Sequence, residues 1–303
     1  YRYEVQGPGA MDVIRDVLGE EPPTVKFFHG ARFTIAGKTV RALRHGMAGE
    51  PGFEFVGPWA DRDAVVGAIL AAGEKHGLVQ VGGRAYLTNS LESGWLPRPL
   101  PAFYSGESTA DFRKWLSASD IDANVSLGGS FYSENLHDYY LSPYDAGYGR
   151  VIKFDHDFIG REALEKQVED GRAGARRKVT LKWNSDDTEK AYGSMFHEGP
   201  GAKFINLPIA HYATYHYDRV ESASGDLQGL SLHTGYSANF RSMLSVATVD
   251  EAVAEPGTEV TVVWGEPTPS SKGAVEDHLQ VKIRATVNPA PIDSNARSEY
   301  RKN

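Results

Sequence analysis

The residue with the clearest chemical potential is Glu54, in the segment HGMAGEPGFEF at 45–55. In an extended segment alternate side chains point to opposite faces, so Glu54 faces away from Phe53 and Phe55. The two aromatics can then pack while the carboxylate points into a cleft. A carboxylate so placed accepts two parallel N–H bonds, which is what a pterin- or guanine-like edge requires. Gly46, Gly49 and Gly52 space the preceding loop by threes. The plainer alternative is a loose hairpin with a surface glutamate. Tyr86 and Trp95 flank a short helical segment, GGRAYLTNSLESGW. In an arbitrary sequence they would be core aromatics.

Other groupings carry less. His211 and His216 lack the i,i+4 spacing of a helical metal pair, and neither HExxH nor GxSxG occurs. These histidines read as structural, and no metal is expected. GPGAMD follows a strand, as a dinucleotide-binding turn does. However, Asp12 stands where the third glycine belongs, and VKFF ends in His29 rather than an acid. It reads as a strand-to-helix turn.

The elements that must position these groups follow from periodicity. YRYEVQ alternates as a strand, and MDVIRDVLG carries a helical apolar stripe. VKFF reads as a short strand, RFTIAGKTVRALR as a hairpin around Ala36-Gly37, and FEFVG as a strand. DRDAVVGAILAAGEKHG is a helix capped by Asp61 and ended by Gly77. Residues 97–151 read as loop-dominated, and FIGREALEKQVEDG as a helix. From Arg176 the texture turns β-rich, through KVTLKW, GLSLHTGY, MLSVATV, TEVTVVWG and LQVKIRATV. Strands at this spacing suggest a barrel or sandwich. The expected boundary divides the chain into 1–172 and 173–303.

Composition narrows the function classes. The 303 residues are 41% hydrophobic and 24% charged, an ordinary globular balance for two modest domains. A net charge of −8 without a basic stripe argues against nucleic-acid binding. The absence of cysteine removes disulfides and thiolate chemistry and fits a cytoplasmic location. No membrane span is expected. The chain opens at Tyr1, already inside a strand, which reads as an N-terminally truncated chain.

Five segments in order resemble the glycine-cleavage T-protein (aminomethyltransferase) superfamily. GMAGEPGFE is similar to its glycine-rich loop of the form GYTGEDGFE, and LESGW to its LEAG segment. DFIGREALEKQ with RRKVTL, GLSLHTGYSANF and PGTEVTV resemble its later segments. Within that superfamily, LRHGMAGEPG, GGRAYLTNSLESGWLP, GGSFYSEN and FDHDFIGREALE resemble the tetrahydrofolate-dependent O-demethylases of vanillate, syringate and 3-O-methylgallate. The resemblance implies an α+β fold: a folate-binding module followed by a β-rich, barrel-like C-terminal domain. It implies tetrahydrofolate as cofactor and a small aromatic methyl ether as substrate.

Residue by residue, it implies Tyr86 as the catalytic tyrosine, at a position where aminomethyltransferases usually carry arginine. Glu54 becomes the carboxylate that grips the pterin, and Phe27 and Trp95 become aromatics of the folate pocket. Glu4 lies near the pterin, where the family pattern has glutamine. The family's upstream third, which supplies much of the aromatic-substrate pocket, has no counterpart here. An aminomethyltransferase of glycine-cleavage type and a non-catalytic folate-binding protein are the alternatives. The oligomeric state is not legible.

Overall fold

The computed structural model describes residues 1–47, 49–267 and 275–299. It divides into two compact units. One comprises Tyr1–Ser93 together with the chain from Pro291 onward, and the other Gly94–Ala290.

The first unit is a four-stranded antiparallel sheet with helices on one face. Its elements are β1 (Arg2–Gln6), α1 (Ala10–Leu18), β2 (Gly30–Ile35), β3 (Lys38–Arg44), β4 (Gly52–Val56), α2 (Arg62–Gly73) and α3 (Gly83–Glu92). The strand order is β1-β4-β3-β2. Alternation sends Val5, Phe33, Ile35, Val40, Ala42, Phe53 and Phe55 to one face. There they pack with Ala10, Val13 and Ile14 of α1 and Val65 and Ile69 of α2. The opposite face carries Arg2, Glu4 and Gln6 of β1 and Glu54 of β4. The β2–β3 hairpin turns on Ala36 (φ 51°) and Gly37 (φ 72°), the positive-φ pair of a tight two-residue loop.

The second unit is built on a closed barrel. After α4 (Ala110–Trp115), β5 (Leu127–Gly128) and α5 (Arg161–Glu169) come β6 (Arg176–Trp183) and α6 (Ser185–Gly193). These are followed by β7 (Tyr215–His216), β8 (Asp218–Glu221), β9 (Leu227–Ser237), β10 (Ser242–Asp250), β11 (Glu259–Trp264) and β12 (Val281–Pro289). The barrel order is β10-β6-β12-β11-β8-β9. Closure leaves no unpaired ladder at the ends of the sheet. Leu181, Val220, Val262, Trp264 and Val287 are fully buried in its core, where Trp183 and Trp264 meet edge to face at 5.7 Å. The last helix, α7 (Ser294–Ser298), belongs to the first unit: Asp293 N–H donates to Glu92 O at 3.1 Å.

The barrel-like C-terminal half and the α+β class therefore stand as the sequence indicates. Three details differ. VKFF forms no strand; Phe28 turns the chain with φ 60°. Asp61 does not cap α2, because its carboxylate is held by Lys38 at 2.9 Å. The compact units divide at 93/94 and 290/291 rather than at 172/173. The reason is packing. Leu96, Leu100 and Tyr139 lie against Tyr215, Tyr217, Leu230 and Leu232, and β5 pairs with β7, so the loop-rich stretch is built onto the barrel. The change of texture at Arg176 marks the first barrel strand.

Gly52 shows how tightly the first sheet is drawn. A Cβ there would lie 2.2 Å from Val5 O and 2.9 Å from Gln6 Cα, both backbone atoms. Gly52→Ala is expected to destabilise the first unit by about 1–3 kcal/mol, the usual cost of overpacking. A urea midpoint equal to that of the parent would refute this.

Candidate functional site

The polar face of the first sheet gathers four side chains. β1 and β4 run antiparallel with Glu4 directly opposite Glu54. Partners across such a ladder have Cβ atoms roughly 4.5–5.5 Å apart, and like charges there are destabilising. One cation relieves the pair: Arg2 Nε donates to Glu54 Oε1. Arg2 is exposed, whereas Glu54 is 7% exposed. Glu4 is half-buried, and its Oε1 accepts the Met47 N–H at 3.1 Å. The same N–H reaches Gln6 Oε1 at 2.7 Å, and Gln6 Nε2 donates to Glu50 O at 3.0 Å. The glycine-rich loop is thereby fastened to β1.

A second tie comes from far along the chain. Asn295 Nδ2 donates to Gly49 O at 2.8 Å and to Glu50 Oε1 at 2.9 Å. Gly49 sits at φ 74° with α7 against it. A Cβ there would lie 2.6 Å from Ala296 Cβ. Only glycine combines that backbone conformation with that approach.

Tyr86 stands in the first turn of α3, 40% exposed. Its phenol is pushed above its ordinary value by burial and then by the charges of Glu4 and Glu54, with Arg2 opposing. The direction keeps the phenol protonated at neutral pH, as a proton donor must be. The Glu4 carboxyl is likewise raised, first by burial and then by Glu54, while the Met47 N–H and Arg2 pull it down.

The structure thus brings Glu4, Glu54 and Tyr86 into one electrostatic neighbourhood. Phe27 is half-buried beside the start of the glycine-rich loop. Its ring meets Phe28 edge to face at 4.6 Å and lies 6.3 Å from His45. Trp95 is half-buried in the second unit. Arg2 and Gln6 were missed from sequence, although the alternation of YRYEVQ puts both on the face of Glu4. Asn295 had no local signal.

His211, His216 and His233 of the second unit lie together. His216 Nε2 meets Asp218 Oδ2 at 2.7 Å, and His211 Nε2 meets His233 Nδ1 at 2.9 Å. His211 is pushed down to about 3, mainly by burial. Among the described residues, no three His, Cys, Asp or Glu side chains are arranged to hold a metal ion. No described helix is long and apolar enough to cross a membrane.

Comparison with known proteins finds similarity over the same residues. The GCVT N-terminal domain family matches residues 2–97, which span the whole carboxylate face and α3. A syringate O-demethylase from a Sphingobium species is 48% identical over 99% of this chain and 64% of its own length. A sesamin methylene transferase from a Sinomonas species is 32% identical over 95% of this chain and 64% of its own length. An aminomethyltransferase from Saccharopolyspora erythraea is 28% identical over 99% and 59% respectively. The chain thus spans less than two thirds of the length of these relatives. The glycine cleavage system aminomethyltransferase T of Bartonella henselae superposes with a TM-score of 0.58 over 97% of this chain and 60% of that one. Sequence identity there is 18%, so the match speaks to the fold. The resemblance drawn from the five motifs is borne out, and the stretch matched by the GCVT N-terminal domain family includes Glu4, Glu54, Tyr86 and Phe27.

Proposed function

We propose that the chain is the folate-binding portion of a tetrahydrofolate-dependent O-demethylase acting on a methoxylated aromatic acid of the vanillate, syringate or 3-O-methylgallate type. The observation that carries the reading is that the Tyr86 phenol feels the charges of the paired Glu4 and Glu54, within the stretch similar to the GCVT N-terminal domain family. The 48% identity to a syringate O-demethylase supports it.

The donor set fits a folate. A buried carboxylate in the middle of a sheet suits a flat edge rich in N–H donors, and Glu54 would accept a pair of them. Phe27 would border the rings. When bound, tetrahydrofolate supplies the N5 amine that takes the methyl group. The chain's own work is positioning and proton transfer. Holding the methyl carbon in line with the amine contributes roughly 7–11 kcal/mol in favourable cases. Tyr86 gives its proton to the ether oxygen as the carbon–oxygen bond breaks, so a phenol departs instead of a phenolate. Tyr86 would then recover its proton from solvent, which takes up the proton that the methylated amine must lose. The substrate pocket, a cytoplasmic location and a role in lignin-derived aromatic catabolism belong to the same proposal.

The test uses the complete protein with tetrahydrofolate and each of the three acids, with both products read by mass spectrometry. A demethylated phenol with 5-methyl-tetrahydrofolate is expected. The name of the 32%-identical relative favours a second reading, transfer of a methylene unit. Methylene-tetrahydrofolate as product would establish it. All three acids untouched would sink the demethylase.

Glu54→Gln is expected to raise the Kd for tetrahydrofolate roughly 10- to 100-fold. The change removes a charge-assisted hydrogen-bond pair worth about 1.5–3 kcal/mol. Unchanged affinity by calorimetry would remove Glu54 from the binding site.

A further inference from the structure

We infer that Glu4 and Glu54 hold a single proton between them at neutral pH, carried on Glu4, so that the sheet offers its ligand a carboxylate and a neutral carboxylic acid side by side. The geometry supplies three reasons. The two side chains are register partners on adjacent strands, with no residue between them. Arg2, two residues from Glu4 on the same strand, gives its Nε to Glu54 instead. Among the described residues Glu4 receives the Met47 N–H, shared with Gln6, and that bond falls on Oε1, which leaves the other oxygen to carry the proton.

The remaining groups around the pair agree with this. On β1 the neighbours are Arg2 and Gln6. On β3, Leu43 lies opposite Glu54, while Arg41 lies opposite Val56 and is exposed. From α3 comes the Tyr86 phenol, neutral in the same pH range. Two ionised carboxylates would share the one guanidinium bonded to the pair, Arg2, whereas one proton on Glu4 brings these three groups to zero net charge. Burial and the Glu54 charge both hold that proton more tightly than in an unfolded chain.

The consequence concerns recognition, and this step rests on the folate reading above. The amino-oxo edge of a pterin presents N–H donors beside a carbonyl. Glu54 accepts from the donors, and a protonated Glu4 donates to the carbonyl, which an ionised Glu4 would repel. Glu4 is therefore a positioning residue whose protonation sets the pH range of binding. With Glu4 neutral, Tyr86 also faces one anion instead of two, so its proton is easier to give.

The sign of the linkage is definite. A raised carboxyl pKa stabilises the fold below the unfolded value, and that contribution is lost as pH rises through the folded value. Infrared titration of the ligand-free protein carrying 13C-labelled glutamate is the direct test. A protonated-carboxyl band is expected at neutral pH, fading on the alkaline side and absent from Glu4→Gln. No such band at neutral pH overturns the inference, and the wild-type titration decides this even if the variant folds poorly.

The second arm is calorimetric binding of tetrahydrofolate across the same pH range. Wild-type affinity is expected to fall roughly tenfold per pH unit above the Glu4 transition, with Glu4→Gln flat and as tight as wild type on the acid side. A Glu4→Gln protein that binds but has lost affinity on the acid side would overturn the donor role. A band at neutral pH with no folate binding by either protein would leave the shared proton standing and sink the folate reading instead.

Discussion

Tyr86→Phe is expected to lower the methyl-transfer rate of the complete protein by about 10²–10⁴, the range for loss of a positioned general acid. The ring remains, so packing of α3 and folate affinity should hold within a few-fold. The loss falls on kcat and kcat/KM alike, because the proton moves only in the transition state. Burial and the two glutamates raise the phenol, so wild-type activity should persist into alkaline solution before the donor ionises. A substrate bearing an electron-withdrawing group has a leaving oxygen that needs its proton less. The Tyr86→Phe deficit should shrink with such substrates. A deficit that is the same for every leaving group would assign Tyr86 to binding rather than proton transfer.

The second large effect is structural. Lys203 is fully buried in the barrel unit, with Nζ 2.6 Å from Glu266 Oε2 and 2.8 Å from Oε1. Its ammonium also lies 4.4 Å from the Tyr212 ring centroid and 5.2 Å from that of Trp264. Burial alone would raise the Glu266 carboxyl. Hydrogen bonds from Lys203 and from Gly129 N–H overcome this and hold it below its ordinary value. Lys203→Met strands that carboxylate and should cost about 3–5 kcal/mol. Adding Glu266→Gln removes the orphaned charge but keeps an acceptor for Gly129, and should restore most of the loss. Since the Glu266 pKa is depressed, its contribution is present above the unfolded value of 4.5 and is lost as pH falls through the folded value. The Lys203→Met deficit should therefore narrow in acid. Denaturant midpoints for the two variants across pH measure this. A single variant within 1 kcal/mol of the parent, by the same rule, would mean that the pair contributes little.

Legibility from sequence followed the range of the signal. Strands with strict alternation, such as β1 and β4, were legible because period two also assigns faces. That is why Glu54 between two phenylalanines pointed to a site. The same rule, applied to YRYEVQ, would have added Arg2 and Gln6 to Glu4. VKFF failed because local β-propensity says nothing of the positive φ that Phe28 adopts. Asp61 failed as a cap because a lysine on a neighbouring strand competes for its carboxylate. The compact units divide elsewhere than the change in texture, because composition marks where strands begin, whereas compactness depends on what the loops pack against. The opposition of Glu4 and Glu54 needed the register of two strands about fifty residues apart, which no local pattern encodes.

The bond from Asn295 to Gly49 also sets an order of events during synthesis. Its two ends are separated by 246 positions. At roughly 5–20 residues per second, a ribosome needs on the order of ten to fifty seconds to make the intervening chain. Throughout that interval the carboxylate sheet can form, but its glycine-rich loop lacks its final clasp. The nascent chain thus holds a site with an open latch, which can close only once Asn295 has emerged.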